Sequence, residues 1–134
     1  VQFGGEAMIS FDGFVQQAGI PIYVQIVLYL KRAIVGGIVQ DGDELPSRRV
    51  LSARLGVNPN TIQKAYRILE EEGLISSHAG AKSLVVFDQK KAAQIRRELL
   101  EEDARRLILA MRQTGLSRDE ALTLVGELWE EEET

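Results

Sequence analysis

The chain has 134 residues, 45% of them hydrophobic and 27% charged, with 12 glycines and 3 prolines, a globular composition and enough length for one ordinary domain or a small domain with an appended helical unit. The absence of cysteine and the single histidine exclude a disulfide framework, a thiolate zinc site and a cysteine nucleophile, and leave little from which to build a metal centre. The formal charge of −4 by itself argues against a polyanionic partner.

Residues 1–19 read as an N-terminal arm. Within it, residues 1–7 contain Gly4-Gly5 and precede Met8, so they are either a remnant ahead of a start at Met8 or a native extension. No apolar run reaches the roughly 18 residues of a membrane span, and no basic-then-apolar leader opens the chain, so the expected location is cytoplasmic. Helical signal begins at Ile20-Pro21, with proline suited to a first turn. It runs to Gly36-Gly37 with Ile22, Ile26, Tyr29, Leu30, Ala33 and Ile34 at helical spacing. Residues 37–46 are dense in turn formers. Ser47 then stands where an N-cap belongs before Val50, Leu51 and Leu55, predicting a short second helix that stops at Gly56. Asn58-Pro59 restarts a helix at once, with asparagine as cap and proline at the first position. Ile62, Ala65, Tyr66 and Leu69 line one face of this third helix up to Gly73.

After Gly73 the period changes. Residues 74–77 and the β-branched run 83–87 predict a hairpin around the loop at residues 78–82. Helical signal returns from Gln89 to about Gln113 and breaks at Thr114-Gly115. Ser117 and Glu120 then form a capping box, with Leu116 placed to staple onto Ala121, that opens a last helix through Leu122, Val125, Leu128 and Trp129.

This order predicts a mainly α fold with a small β-hairpin: a winged helix-turn-helix over residues 20–87, followed by a two-helix segment over residues 88–134. It also relocates the charge. Residues 20–87 carry eight basic and six acidic side chains, a balance of +2, whereas residues 88–134 hold eight basic and twelve acidic ones. The acidity therefore belongs mostly to the C-terminal segment and its run at residues 130–133. On the outward side of the third helix, Asn58, Asn60, Thr61, Gln63, Lys64 and Arg67 precede the first carboxylate, Glu70. Donors and positive charge at a helix N-terminus suit base edges and phosphate oxygens.

The stretches Leu45-Pro46-Ser47-Arg48-Arg49-Val50-Leu51, Leu55-Gly56-Val57-Asn58-Pro59-Asn60-Thr61-Ile62 and Tyr66-Arg67-Ile68-Leu69-Glu70-Glu71-Glu72-Gly73-Leu74-Ile75 resemble the DNA-binding domain of GntR-family bacterial transcriptional regulators. The Asn-Pro-Asn-Thr sequence and the short C-terminal segment resemble the YtrA-type subfamily, in which two helices serve dimerisation. The resemblance implies a repressor that binds a palindromic operator as a homodimer. It places Arg49 on a DNA-contacting arginine, and Asn58, Asn60, Thr61 and Gln63 on positions facing the groove or its phosphates. Ser47, Arg48, Lys64, Arg67, His78, Gly80 and Lys82 complete the candidate DNA-binding set. At the wing the family commonly shows Arg-Gly, one residue, Gly, then Thr-Phe-Val. This chain has Ala79-Gly80-Ala81-Lys82-Ser83-Leu84-Val85, so Lys82 replaces the second glycine and is placed to take over a phosphate contact.

For dimerisation the candidates are Ile95, Leu99, Leu107, Met111, Leu122, Val125 and Trp129, because two helices on a short linker have little partner surface within one chain. Tyr23, Tyr29 and Tyr66 lie at apolar helix spacing and are expected in the core. His78 reads more readily as a plain loop residue than as a phosphate or pH-sensitive contact. No phosphate-cradling glycine loop, metal-ligand cluster or nucleophile constellation is present, so neither catalysis nor a cofactor is expected. Two alternatives stay open: a winged-helix module that binds protein, and a small effector held between the C-terminal helices.

Overall fold

The computed structural model describes residues 8–77 and 82–133. Its elements are α1 (Ile22–Val35), β1 (Glu44–Leu45), α2 (Arg48–Leu55), α3 (Pro59–Glu71), β2 (Ile75–Ser77), β3 (Ser83–Val85), α4 (Gln89–Gln113) and α5 (Arg118–Glu133). They fall into two compact units, Val1–Arg96 and Arg97–Thr134. No described helix is long and apolar enough to cross a membrane.

In the first unit α1 and α3 bury most of their expected stripes, whereas of Val50, Leu51 and Leu55 in α2 only Leu51 is buried and Val50 is 51% exposed. Ile26, Leu30 and Ile34 of α1, Leu51 of α2, and Ile62, Ala65, Tyr66 and Leu69 of α3 close one core, joined by Leu45, Leu74 and Val85 from the strands and the turn before them. Each large aliphatic side chain removed from water there contributes about 1.5–3 kcal/mol. Local chemistry sets the helix ends. Ser47 Oγ accepts from the Val50 amide and Asn58 Oδ1 from the Asn60 amide, while Gly56 ends α2 at φ +68°. That left-handed conformation is open to glycine at little cost. The sharp reversal between α2 and α3 is further tied by Ser52 Oγ, which donates to the Val57 carbonyl at 2.6 Å.

The sheet is larger than the predicted hairpin. Its order is β1-β3-β2, antiparallel throughout, with Leu45 opposite Ser83, Ile75 opposite Val85 and Ser77 opposite Ser83. Residues 44–45, expected as part of a turn-rich connection, form the third strand. The Gly42 amide donates to the Val85 carbonyl and the Val85 amide to the Asp43 carbonyl. Turn formers dominate the segment's composition, but Leu45 must enter the core, and β3 has an open edge to receive it.

The N-terminal arm is part of this unit from residue 8 onward. Met8 bridges to Glu44 in parallel, and Ile9 and Phe11 are buried. Phe11 stacks on Tyr29 with centroids 4.9 Å apart, and Phe14 meets the same ring edge-on at 5.5 Å. The buried Gln25 amide holds the turn into α1, accepting from the Gln17 amide and donating to the carbonyls of Gln17 and Ile20. Gln16 reaches the Leu55 carbonyl at the end of α2. At the other end of the unit, Ile95 is only 2% exposed and Arg96 donates to the Val35 carbonyl at 3.0 Å. The first turns of α4 therefore belong to the first unit, and the division falls inside α4, beyond the boundary expected at residues 87–88.

The second unit holds the rest of α4 and all of α5. Exposed ion pairs Arg97–Glu101, Arg105–Glu101 and Arg106–Asp103 run along α4 at i,i+3 and i,i+4 spacing. The predicted capping box is formed in both directions: Glu120 accepts from the Ser117 amide, and Ser117 Oγ accepts from the Glu120 amide.

Candidate nucleic-acid interface

A surface that reads DNA needs a helix that can enter a groove, donors on its outward side and no competing carboxylates. The α2–Gly56–α3 turn supplies the helix. Neither α2 nor α3 has an acidic residue in its first turn, so both N-termini keep their partial positive ends and free amides for phosphate.

The expected site residues separate into distinct roles. Arg49, on the first turn of α2, is exposed and has no ion pair among the described residues. Asn60, Gln63, Lys64 and Arg67 are exposed on α3, and Thr61 is half-buried beside them. Ser47 and Asn58 are both N-caps, their side-chain oxygens occupied by backbone amides. Capping fixes where α2 and α3 begin. Any DNA contact from Asn58 is left to its amide NH2 group.

Arg48 departs furthest from expectation, because its charge is engaged inside the domain. Its NH2 donates to Glu70 Oε1 at 3.2 Å, and its guanidinium carbon stands 5.2 Å from the centroid of the Tyr66 ring. Its Nε is buried without a hydrogen-bond partner. A guanidinium held in this way is a strut between α2 and α3, whereas its neighbour Arg49 points to solvent. Tyr66 in turn donates its phenol to the Pro46 carbonyl at 2.6 Å, and burial pushes its ionisation well above the usual tyrosine range, with Arg48 opposing more weakly. It stays neutral and structural, as its core spacing implied.

Glu70 is the residue that sequence reasoning missed. Besides Arg48 it accepts from Ser77 Oγ at 2.9 Å, and Ser77 Oγ lies 2.8 Å from Ser83 Oγ across the β2–β3 pair. One carboxylate thereby ties α2, α3 and the base of the wing. No local motif signals this, since the partners are far apart in sequence and meet only through the fold.

Lys64 lies on the α1 side of α3, its ammonium 4.0 Å from the Tyr23 ring centroid, a cation–π contact that leaves it exposed. Arg67 is loosely paired with Glu71 at 3.9 Å. On the wing, Lys82 is exposed with its Nζ 3.5 Å from Glu44 Oε1. His78 and Gly80 lie outside the described residues. Among the described residues, no group of three acidic or histidine side chains is arranged to hold a metal ion.

Of the dimerisation candidates, Ile95 is corrected by its burial: it fills the core of the first unit and is not available to a second copy. Leu107, Leu122 and Trp129 are exposed, while Leu99, Met111 and Val125 are half-exposed.

Residues 22–85 match a family model described as "Bacterial regulatory proteins, gntR family". The chain is 33% identical over 110 residues to the HTH-type transcriptional repressor YtrA of Bacillus subtilis, covering 81% of this chain and 82% of that protein. Among solved structures it resembles a GntR family transcriptional regulator from Listeria monocytogenes, with a TM-score of 0.73 and 32% identity over 84% of this chain and 98% of that one. It also resembles YtrA from Sulfolobus acidocaldarius, a GntR-family transcription factor, with a TM-score of 0.52 and 32% identity over 71% of this chain and 99% of that one. The helix starts of α2 and α3, free of acid in their first turns, the wing and these similarities agree: the chain belongs to the GntR family and is a DNA-binding transcriptional regulator.

Proposed function

We propose that the protein is a homodimeric repressor that binds an inverted-repeat operator, with α3 in the major groove and the wing against the adjoining backbone. Arg49, Asn60, Thr61 and Gln63 contact base edges or nearby phosphates. Lys64, Arg67 and Lys82 meet phosphates. The N-caps Ser47 and Asn58 hold the two helix starts that face the backbone, and His78 and Gly80 complete the set of DNA contacts. Arg48 supports this surface from behind.

The observation that carries the reading is the contrast between two adjacent arginines, one locked to Glu70 and the other exposed next to the acid-free start of α3. Repression is supported by the Bacillus subtilis relative, which is named a repressor and is matched over most of its length. Dimerisation is supported by the apolar surface of residues 97–134, where Leu100, Leu107, Ile108, Leu109, Leu122, Leu128 and Trp129 are all exposed. So many large apolar side chains left exposed on two helices are expected of an association surface.

Selection of bound sequences from a random duplex pool tests operator and symmetry together. An inverted repeat is expected, with affinity falling steeply as salt rises. A single unpaired half-site would overturn the dimeric reading. No duplex binding at low salt would favour a protein-binding module. Transcription in vitro from a promoter carrying the selected site should fall as the protein is added.

A further inference from the structure

The first unit holds a hollow of about 350 Å³ where the end of α1 and the connection after it meet the start of α4. Its volume lies at the small end of the roughly 300–1,000 Å³ typical of small-molecule sites. Ile34 and Val39, each 3% exposed, and the half-buried Phe87 and Ala92 give it apolar walls. Exposed charged side chains of both signs also line it: Asp41 from the connection, Asp88 just before α4, and Arg96 further along that helix. Each is already fixed by one hydrogen bond to the backbone. Asp41 Oδ1 accepts from the Phe87 amide at 2.9 Å, Asp88 Oδ1 accepts from the Lys91 amide at 2.7 Å, and one Arg96 NH2 donates to the Val35 carbonyl at 3.0 Å. Among the described residues, the second oxygen of each aspartate and the rest of the guanidinium have no hydrogen bond, and Arg96 pairs with neither aspartate.

We infer that this hollow binds a small zwitterion with an apolar side chain, of the α-amino-acid class. The ammonium pairs with the open oxygens of Asp41 and Asp88, the carboxylate with Arg96, and the side chain covers Ile34, Val39, Phe87 and Ala92. Opposite charges that share one hollow without meeting select such a ligand. An anion alone would meet two carboxylates, and a cation alone would leave the guanidinium unmatched. The backbone hydrogen bonds hold the charged groups in place beforehand, so little side-chain freedom is lost on binding, and each contact to the ligand is a charge-assisted hydrogen bond. The site lies wholly within the first unit and is independent of the dimeric reading. Phe87 and Asp88 stand between β3 and α4, so a bound amino acid ties the first turns of α4 to the end of α1, beside the Arg96–Val35 bond.

Calorimetric titration of the full chain with valine, leucine, methionine and phenylalanine tests this. At least one should bind saturably, one molecule per chain, and the same amino acid should raise the melting temperature. Its decarboxylated and deaminated analogues, which for leucine are 3-methylbutylamine and 4-methylpentanoate, should each bind about tenfold more weakly or worse. Asp41→Asn keeps an acceptor for the Phe87 amide and should weaken binding about tenfold or more, as should Arg96→Met. Ala92→Leu fills the hollow without removing a hydrogen bond. It should abolish binding while the circular dichroism spectrum and the gel shift on duplex DNA stay unchanged. No saturable binding of any of the four at millimolar concentration would overturn the inference. Binding that survives Ala92→Leu or Asp41→Asn would overturn it too, by placing the ligand elsewhere. Equal affinity for the amine or the acid alone would overturn the zwitterionic class.

Discussion

Arg48 and Glu70 stand 22 positions apart in sequence, yet the guanidinium of one donates to the carboxylate of the other at 3.2 Å, with Tyr66 beneath and Ser77 on the far side. The pair turns a basic helix start into two functions carried by neighbouring residues, one internal and one outward.

Arg48→Ala is therefore expected to lower folding stability by about 1–2 kcal/mol, from a partly screened ion pair and a cation–π contact. Arg49→Ala should leave stability within about 0.5 kcal/mol and weaken operator binding by about 1–3 kcal/mol. Urea unfolding and gel-shift titration on both variants check this. Equal stability losses, or an operator effect larger at Arg48, would contradict the assignment.

Lys64 rests on the Tyr23 ring and remains exposed. Lys64→Ala should weaken all duplexes alike and reduce the slope of log affinity against log salt by about 0.9, as expected when one phosphate is no longer neutralised. A weakening confined to the selected operator would instead make Lys64 a base reader.

Gly56 has φ +68° and no atom within 4 Å of a Cβ placed there. Gly56→Ala should consequently cost only the left-handed backbone penalty, about 1–2 kcal/mol in urea unfolding, with no accompanying clash.

Phe11 is 3% exposed and stacked on Tyr29. Phe11→Ala should destabilise the first unit by about 3–5 kcal/mol, as expected for a core aromatic. A solvated arm would show almost no effect, so calorimetry distinguishes the two.

The Ser117 amide and hydroxyl hold the Glu120 carboxyl below its ordinary value of 4.5. A carboxyl depressed in the folded state stabilises above its unfolded value, and that contribution is lost as pH falls through the lowered folded value. The start of α5 should accordingly fray in acid, below the range where an ordinary glutamate titrates. Nuclear magnetic resonance titration of the Glu120 side chain and the Ser117 amide should report one common midpoint under 4.5, and Ser117→Ala should move it upward.

Much of the architecture was legible in the residues themselves because its causes are local. Ser47, Gly56, Asn58-Pro59 and the Ser117–Glu120 box each set a helix end through interactions within a few positions. The spacing of Ile62, Ala65, Tyr66 and Leu69 likewise identifies the buried face of α3. The family was legible for the same reason, since its signature lies on those turns and caps.

What only the tertiary structure decided depends on partners distant in sequence. Leu45 joins a strand because β3 offers an edge, against a local composition that favours turns. Phe11 is core because Tyr29 lies across from it, and Ile95 is core because the start of α4 packs onto the first unit. Arg48 and Arg49 are indistinguishable as letters, and only the position of Glu70 makes the first a strut and leaves the second exposed to solvent. Burial and pairing of charge follow from three-dimensional neighbours, whereas periodicity and capping are written along the chain.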